Sequence, residues 1–125
     1  MRAILSIKPQ YVERIFDETK KYEFRKQIFK NEQVSEVVIY ATAPVMRVVG
    51  EFTFKNIIID SPENIWIKTR DYAGIDFEAY MDYFSNRELG YAIEIERVKK
   101  YKKSKSLKSV APQLVMPPQS FAYID

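Results

Sequence analysis

The sequence contains no cysteine and no histidine. Without cysteine, the chain has neither a disulfide nor a thiolate nucleophile. Without histidine, it lacks the usual general base and the commonest metal ligand, so we expect no zinc site. Carboxylates at the spacing of metal ligands are also missing, and we therefore predict that the protein uses no metal and no cofactor.

Long hydrophobic runs are missing as well. The apolar run near the N-terminus, residues 3–7, ends at Lys8 and Pro9. It is too short for a signal peptide or for a membrane span. We therefore expect a cytoplasmic protein with no membrane partner.

The composition is that of a globular protein. Hydrophobic residues make up 46% and aromatic residues 14% of the 125 residues, and the net charge is +3. This length predicts a single domain over residues 1–125, large enough for a hydrophobic core. The mild positive charge permits a polyanionic partner without requiring one.

The order of predicted elements favours an α+β fold. Strand patterns occupy residues 3–7, 36–42, 45–60 and 90–98 and a segment that ends at about Arg25, and Phe121, Tyr123 and Ile124 are candidates for a closing strand. Helices are predicted after Pro9, after Ser61-Pro62 and after Asp76, at typical helix-start residues. Helices clustered between runs of strands leave few residues for parallel crossovers.

Two local features refine this prediction. Gly50 lies inside a strand pattern and indicates a bulge or a bend. The spacing of Phe77, Tyr80, Met81 and Phe84 predicts a helix whose apolar stripe belongs to the core.

Residues 18–26 carry the densest functional signal. Alternation along a strand places Tyr22 and Phe24 on one face and Glu23 and Arg25 on the other, with Lys20 on the preceding turn. The fork of an arginine suits phosphate, and a buried lysine beside a second cation such as Lys21 could act as a base. The alternative is an exposed ion pair worth ~0–1 kcal/mol and a solvated lysine.

This stretch resembles the signature of the ASCH domain family, a relative of the PUA fold, which runs roughly Gly-x-Lys-x-x-Glu-x-Arg. Lys20, Glu23 and Arg25 match its charged positions, whereas Glu18 stands where the family has glycine. Residues 6–9, 39–42, 90–93 and 118–121 add weaker similarity. The resemblance implies a small mixed PUA-like β-barrel of five or six strands flanked by helices, with a cleft lined by the three charged residues.

Further ligand-binding candidates lie at strand ends or at positions that the resemblance indicates. They are Lys8, Tyr40, Thr42, Tyr91, Gln119 and Ser120. Tyr40 and Tyr91 could stack on a base, or could belong to the core with only the hydroxyl at its rim. Gln119 and Ser120 rest on the resemblance alone.

The segment Arg97–Lys108 combines seven cations with one aromatic, Tyr101. This composition is typical of a nucleic-acid contact. It equally fits a solvated edge strand whose lysines hinder sheet-to-sheet aggregation. The sequence leaves both possibilities open.

The ASCH resemblance implies an RNA- or nucleotide-binding module with a regulatory role. An alternative is a small hydrolase. One ASCH branch resembles an amidohydrolase of acylated cytidine, with lysine, threonine and glutamate at its centre. Lys20 matches the lysine, Glu23 replaces the threonine, and the glutamate position falls near Ala73, with Asp71 or Glu78 as substitutes. Other ASCH proteins resemble ribonucleases, for which Lys20 and Glu23 would be acid and base. A third possibility is a protein-interaction domain with a vestigial cleft.

Overall fold

The computed structural model describes residues 1–125. It contains six strands, four α-helices and one short 3-10 helix at Arg70–Tyr72. In chain order the elements are β1 (Arg2–Ile7), α1 (Pro9–Phe16), β2 (Tyr22–Arg25), β3 (Glu36–Ala41), β4 (Arg47–Asp60), α2 (Pro62–Thr69), α3 (Phe77–Tyr83), β5 (Gly90–Lys105), α4 (Leu107–Val110) and β6 (Phe121–Tyr123).

The predicted helix starts are confirmed. α1 begins at Pro9, and the Ser61 hydroxyl accepts a hydrogen bond from the Asn64 amide at the start of α2. The Asp76 carboxylate accepts one from the Ala79 amide at the start of α3. None of the helices is long and apolar enough to cross a bilayer.

All six strands form one mixed sheet in the order β2-β5-β4-β3-β1-β6. β1 and β3 are parallel, and the other neighbours are antiparallel. The sheet curls into a half-barrel. The predicted α+β class and the small mixed PUA-like β-barrel of six strands flanked by helices are thus confirmed.

The curl is produced largely by the two long strands, β4 and β5. Their register shifts between Val48 and Gly50, which confirms the bend predicted there. A Cβ at Gly50 would lie 2.5 Å from the carbonyl oxygen of Lys99 and 2.7 Å from the ring of Phe16. Only glycine allows this approach, so the residue fixes both the bend and the position of α1.

β5 extends to Lys105, seven residues beyond the strand predicted from alternation at residues 90–98. Its second half pairs with the first half of β4, from Val48 to Thr53. This pairing holds a lysine-rich segment extended, and local sequence pattern does not reveal such a long-range partner.

The core has two main parts. On one side of the sheet, Val12 and Ile15 of α1 pack on β1, β3 and Phe52. On the other, Tyr80 and Phe84 of α3 pack on Phe24 with ring centroids 5.0 and 6.4 Å apart.

The prediction that the whole stripe of α3 belongs to the core is wrong at its first residue. Phe77 is 53% exposed, because it lies at the end of the helix. There its ring packs edge to face on Trp66, with the centroids 5.3 Å apart.

Candidate functional site

A cleft of about 500 Å³ opens where the two edges of the sheet approach each other. Its walls come from the end of β1, from α1, β2 and α3, and from the loop before β6. Five of the predicted ligand residues line it: Lys8, Lys20, Glu23, Arg25 and Gln119. The structure therefore brings the charged positions of the motif together in one concave site.

Glu23 and Arg25 form a buried ion pair in this cleft. Strand alternation places them on the same face, and Arg25 Nη1 donates to Glu23 Oε2 at 3.2 Å. The other oxygen, Oε1, has no hydrogen-bond partner within the protein, although no fully buried polar atom is left unpaired. Oε1 is thus reachable by a ligand.

Arg25 also joins the two edges of the sheet. Its guanidinium donates to the carbonyl oxygen of Ser6 at 3.2 Å and to that of Ser120 at 2.7 Å. β2 and the strand that follows Ser120 are the opposite ends of the strand order. Three protein contacts leave part of the five-donor fork for a ligand. Arg25 therefore has a structural role, because it links the two edges of the half-barrel.

Lys20 is held inside the cleft, and the alternative of a solvated lysine is wrong. The side chain is 3% exposed, and Nζ donates to the carbonyl oxygen of Ala73 at 2.8 Å. Nζ also lies 4.5 Å from the centroid of the Phe24 ring. The preceding Glu18 has a positive φ of 65°, which explains why glycine suits that position.

The pKa of Lys20 is lowered to about 8, mainly because the amine is buried; Glu23 opposes this shift, and the nearby Arg14 contributes to it by a smaller amount. The neighbouring cation is thus Arg14 and not Lys21 as predicted. The Nζ of Lys21 lies over the ring of Tyr72, 4.5 Å from its centroid. At pH 7 roughly a tenth of Lys20 is therefore neutral, far more than for a lysine in water.

Gly74 makes this burial possible. Its φ is 65°, and a Cβ there would lie 2.3 Å from the Cβ of Lys20. Its carbonyl oxygen accepts a hydrogen bond from Arg14 Nη1 at 2.8 Å. The Ala73–Gly74 segment therefore binds both cations through main-chain oxygens.

Four of the predicted ligand residues do not line the cleft. Tyr40 is 4% exposed and packs with Ile4, Val38 and Val48, so its ring cannot stack on a base. Tyr91 pairs with Arg25 across β2 and β5. Thr42 lies in the turn after β3, and Ser120 contributes its carbonyl oxygen to Arg25. The sequence pattern predicted these four residues at the site, but in the folded chain none of them lines the cleft.

The catalytic glutamate of the amidohydrolase branch has no counterpart here. Ala73 contributes only its carbonyl oxygen. Asp71 and Glu78 are exposed and do not line the cleft. The only acids among the lining residues are Glu23 and Asp82. No three acidic side chains meet in an arrangement that could hold a metal ion.

Sequence reasoning did not identify nine of the fourteen lining residues as ligand residues, among them Tyr11, Lys26, Asp82 and Tyr83. Burial raises the pKa of Tyr83, Arg25 lowers it and Glu23 raises it, so the phenol stays protonated near neutral pH. Lys26 Nζ lies 4.7 Å from the centroid of the Tyr83 ring. Tyr11 belongs to the apolar stripe of α1, and no local signal distinguishes it from a core residue.

The cleft can bind an anion of nucleotide size. Four cations and two carboxylates line it, and its volume lies in the range of small-molecule sites. Lys20, Glu23 and Arg25 each retain hydrogen-bonding capacity beyond their protein partners.

A curled six-stranded sheet with a charged cleft at its meeting edges defines a class of small half-barrel domains. The model of the family described as Domain of unknown function (DUF365) matches residues 2–114, and the chain belongs to this family. The crystal structure of ASCH from Zymomonas mobilis has a TM-score of 0.89 to this chain, with 25% identity, over 99% of this chain and 87% of that one. The ASCH resemblance is thereby confirmed.

Two sequence relatives extend this comparison. A Zymomonas mobilis protein named ASCH domain-containing ribonuclease is 29% identical over 86 residues, which are 69% of this chain and 58% of that protein. ATP synthase subunit alpha of Ureaplasma parvum serovar 3 is 32% identical over 122 residues, or 97% of this chain. The chain spans only 15% of the length of that subunit.

Proposed function

We propose that this protein binds RNA, with one nucleotide unit occupying the cleft lined by Lys20, Glu23 and Arg25. The observation that carries the proposal is a buried charged cluster whose hydrogen-bonding capacity is only partly used by the protein. The name of the Zymomonas relative, an ASCH domain-containing ribonuclease, supports RNA as the ligand.

Each lining group has a role in this proposal. Protonated Lys20 and the exposed Lys8 and Lys26 attract the phosphate, and the free donors of Arg25 hydrogen-bond to it. Glu23 Oε1 accepts from a base amino group or a ribose hydroxyl. The rings of Tyr11 and Tyr83 replace those of Tyr40 and Tyr91 as surfaces for a base.

Fluorescence anisotropy with short single-stranded and hairpin RNAs tests the proposal at pH 7. Lys20→Met and Lys21→Met remove the same charge from adjacent positions, but only Lys20 among the two lines this cleft. We expect Lys20→Met to raise Kd roughly tenfold, about 1.4 kcal/mol, and Lys21→Met to raise it by less than about threefold. Equal Kd values in both folded variants would remove the cleft as the RNA site.

Cleavage of the bound RNA is a second candidate function, favoured by the lowered pKa of Lys20. Neutral Lys20 would accept the proton of a 2′-hydroxyl. The 2′-oxygen would then bond to the adjacent phosphorus, the bond from phosphorus to the 5′-oxygen would break, and the 5′-oxygen would take a proton from water. Free Arg25 donors would stabilise the charge on the phosphate. The products would be a 2′,3′-cyclic phosphate and a 5′-hydroxyl end.

This candidate predicts a distinct pH profile. Cleavage in chelator should rise with pH and reach half its maximum near the Lys20 pKa of about 8, as mass spectrometry of the products can measure. Lys20→Met should abolish it, and Lys21→Met should retain it. Binding without cleavage at any pH would leave the binding function and exclude this second one.

A further inference from the structure

The second half of β5 and the residues after it carry a concentrated positive charge. We define the basic strip as Arg97, Lys99, Lys100, Lys102, Lys103, Lys105 and Lys108. Seven of the 20 Lys and Arg residues thus lie within this segment, and none of the 17 Asp and Glu residues does. The rest of the chain is therefore net acidic, and the mild net charge of +3 conceals a strongly polarised molecule.

The charges of the basic strip are not neutralised within the protein. All seven side chains are exposed, and none takes part in any of the three salt bridges of the structure. Arg47 adds an eighth exposed cation beside them, since it hydrogen-bonds to Ser104 on the paired strand. Unpaired cations at this density repel one another, and a polyanion would relieve that repulsion.

The aromatic residue of the segment is already engaged. The Tyr101 hydroxyl donates to Glu51 at 2.8 Å, and Lys105 Nζ lies 4.6 Å from the centroid of its ring. Tyr101 also packs against the buried cluster that contains Tyr40 and Val48. The strip therefore offers charge without a free stacking surface, which suits phosphates better than bases.

One edge of the strip is open. β2 covers β5 only from Tyr91 to Glu94, whereas β4 pairs along the opposite edge as far as Lys105. From Arg97 onward the main chain on the β2 side has no strand partner. This half of β5 is therefore a solvated edge, as one of the two predictions for the segment has it, and contact with nucleic acid stays a prediction.

Helix α1 connects the strip to the cleft. Its first turn contributes Tyr11 to the cleft wall, and Phe16 at its end lies against Gly50 and 5.7 Å below Lys100 Nζ. Tyr11 and Phe16 are five residues apart, so their contacts with the two sites are separated by roughly 8 Å along the helix axis. A strand of RNA leaving the cleft could cover this distance within a few nucleotides.

We propose that the basic strip binds the phosphate backbone of the RNA strand whose nucleotide occupies the cleft. The strip adds affinity that is independent of base sequence and strongly dependent on salt. It acts only on RNA long enough to reach it. This inference rests on the proposed RNA binding, because the cleft supplies the other end of the bound strand.

A matched pair of triple variants tests the strip. Lys99, Lys102 and Lys103 are changed to Gln in one variant, and Lys30, Lys55 and Arg70 in the other. Both sets are exposed and outside all salt bridges, so the net charge falls equally. For a single-stranded RNA of roughly 12 nucleotides, loss of three phosphate contacts should reduce the slope of log Kd against log salt by about 2. The second triple variant should keep the slope of the wild type.

Length and a cleft variant separate the two proposals. For RNA of roughly three nucleotides, the strip variant should bind like the wild type, and Lys20→Met should bind more weakly. Suppose that the strip variant binds the longer RNA more weakly, while Lys20→Met binds RNA of both lengths like the wild type. The proposal for the basic strip is then supported, and the proposal for the cleft fails. Equal salt slopes in the two triple variants would overturn the proposal that the basic strip binds RNA. The same conclusion would follow if a polyglutamate peptide bound the wild type as tightly as RNA does and lost as much affinity in the strip variant.

Discussion

At the scale of single residues, the unusual group is Lys20. A lysine on a polar turn ordinarily extends its amine into water. Here the amine is surrounded by the ring of Phe24 and the main chain at Ala73, with a single hydrogen bond from Nζ. The charged form loses hydration that this one bond does not replace, and this loss is why the pKa falls.

The lowered pKa predicts a pH-dependent stability. The pKa of Lys20 is about 8 in the folded chain and 10.5 in its ordinary state, so the unfolded chain binds more protons between these values. The penalty for charging the buried amine is therefore full below pH 8 and is relieved as the pH rises towards 10.5. Relative to Lys20→Met, the free energy of unfolding of the wild type should rise by about 1–2 kcal/mol between pH 7 and 9.5.

Urea denaturation at several pH values measures this difference. Comparison with Lys20→Met removes the contribution of tyrosines, whose titration begins at the upper end of the range. Lys21→Met is the control, because it retains Lys20 and should therefore keep the rise in the free energy of unfolding with pH. A difference between wild type and Lys20→Met that stays constant from pH 7 to 9.5 would contradict a lowered pKa.

At the scale of elements, the site depends on the connection between the 3-10 helix and α3. The main chain of this connection passes directly over Lys20 at Gly74, and α3 then supplies Asp82 and Tyr83 to the cleft. The connection is held on the other side by Arg14 of α1. A change at Gly74 should therefore disturb two walls of the cleft together.

Gly74→Ala should lower the free energy of unfolding by about 2–4 kcal/mol and weaken RNA binding. The positive φ contributes about 1 kcal/mol, and the rest arises from the overlap of the new Cβ with Lys20. Asn86→Ala is a suitable control, because Asn86 has a φ of 63° but is exposed, and we expect a loss of only about 1 kcal/mol. Similar losses of stability in the two variants would mean that the side chain of Lys20 moves away from the new Cβ at little cost in free energy.

At the scale of the whole molecule, the half-barrel is held closed near the cleft by one guanidinium. Arg25 hydrogen-bonds to the carbonyl oxygens of Ser6 in β1 and of Ser120 just before β6, while its own strand, β2, is the opposite edge of the sheet. The cleft and the closure of the fold thus share a residue. A variant of Arg25 consequently changes ligand binding and the fold together, and loss of binding in it does not by itself identify a ligand contact.

Arg25→Ala should lower the free energy of unfolding by about 3 kcal/mol, because Glu23 loses its cation and two carbonyl oxygens lose a donor. Hydrogen exchange should become faster at the amides of β6 and β2 than at those of the central β3. Lys68→Ala breaks the exposed pair with Asp60 and should change stability by less than about 1 kcal/mol. Equal acceleration of hydrogen exchange in β3 and β6 would contradict the role of Arg25 in holding the two edges of the sheet together.

Local patterns in the sequence determined the helices and strands, and also the face of the strand on which the charged residues of the motif lie. Strand alternation placed Glu23 and Arg25 on one face, the helix starts at Ser61 and Asp76 followed from capping residues, and Gly50 marked the bend. Each of these outcomes depends on residues close together in the chain. Periodicity and side-chain capping therefore suffice to predict them.

The tertiary structure alone decided which residues meet in the cleft. The oxygen that binds Lys20 lies 53 residues along the chain, and one that binds Arg25 lies 95 residues along it. Tyr40 was buried and Tyr83 was brought to the cleft by the curl of the sheet and the packing of α3. Such contacts depend on the closure of the whole sheet, and no local pattern of side chains encodes how far a sheet curls.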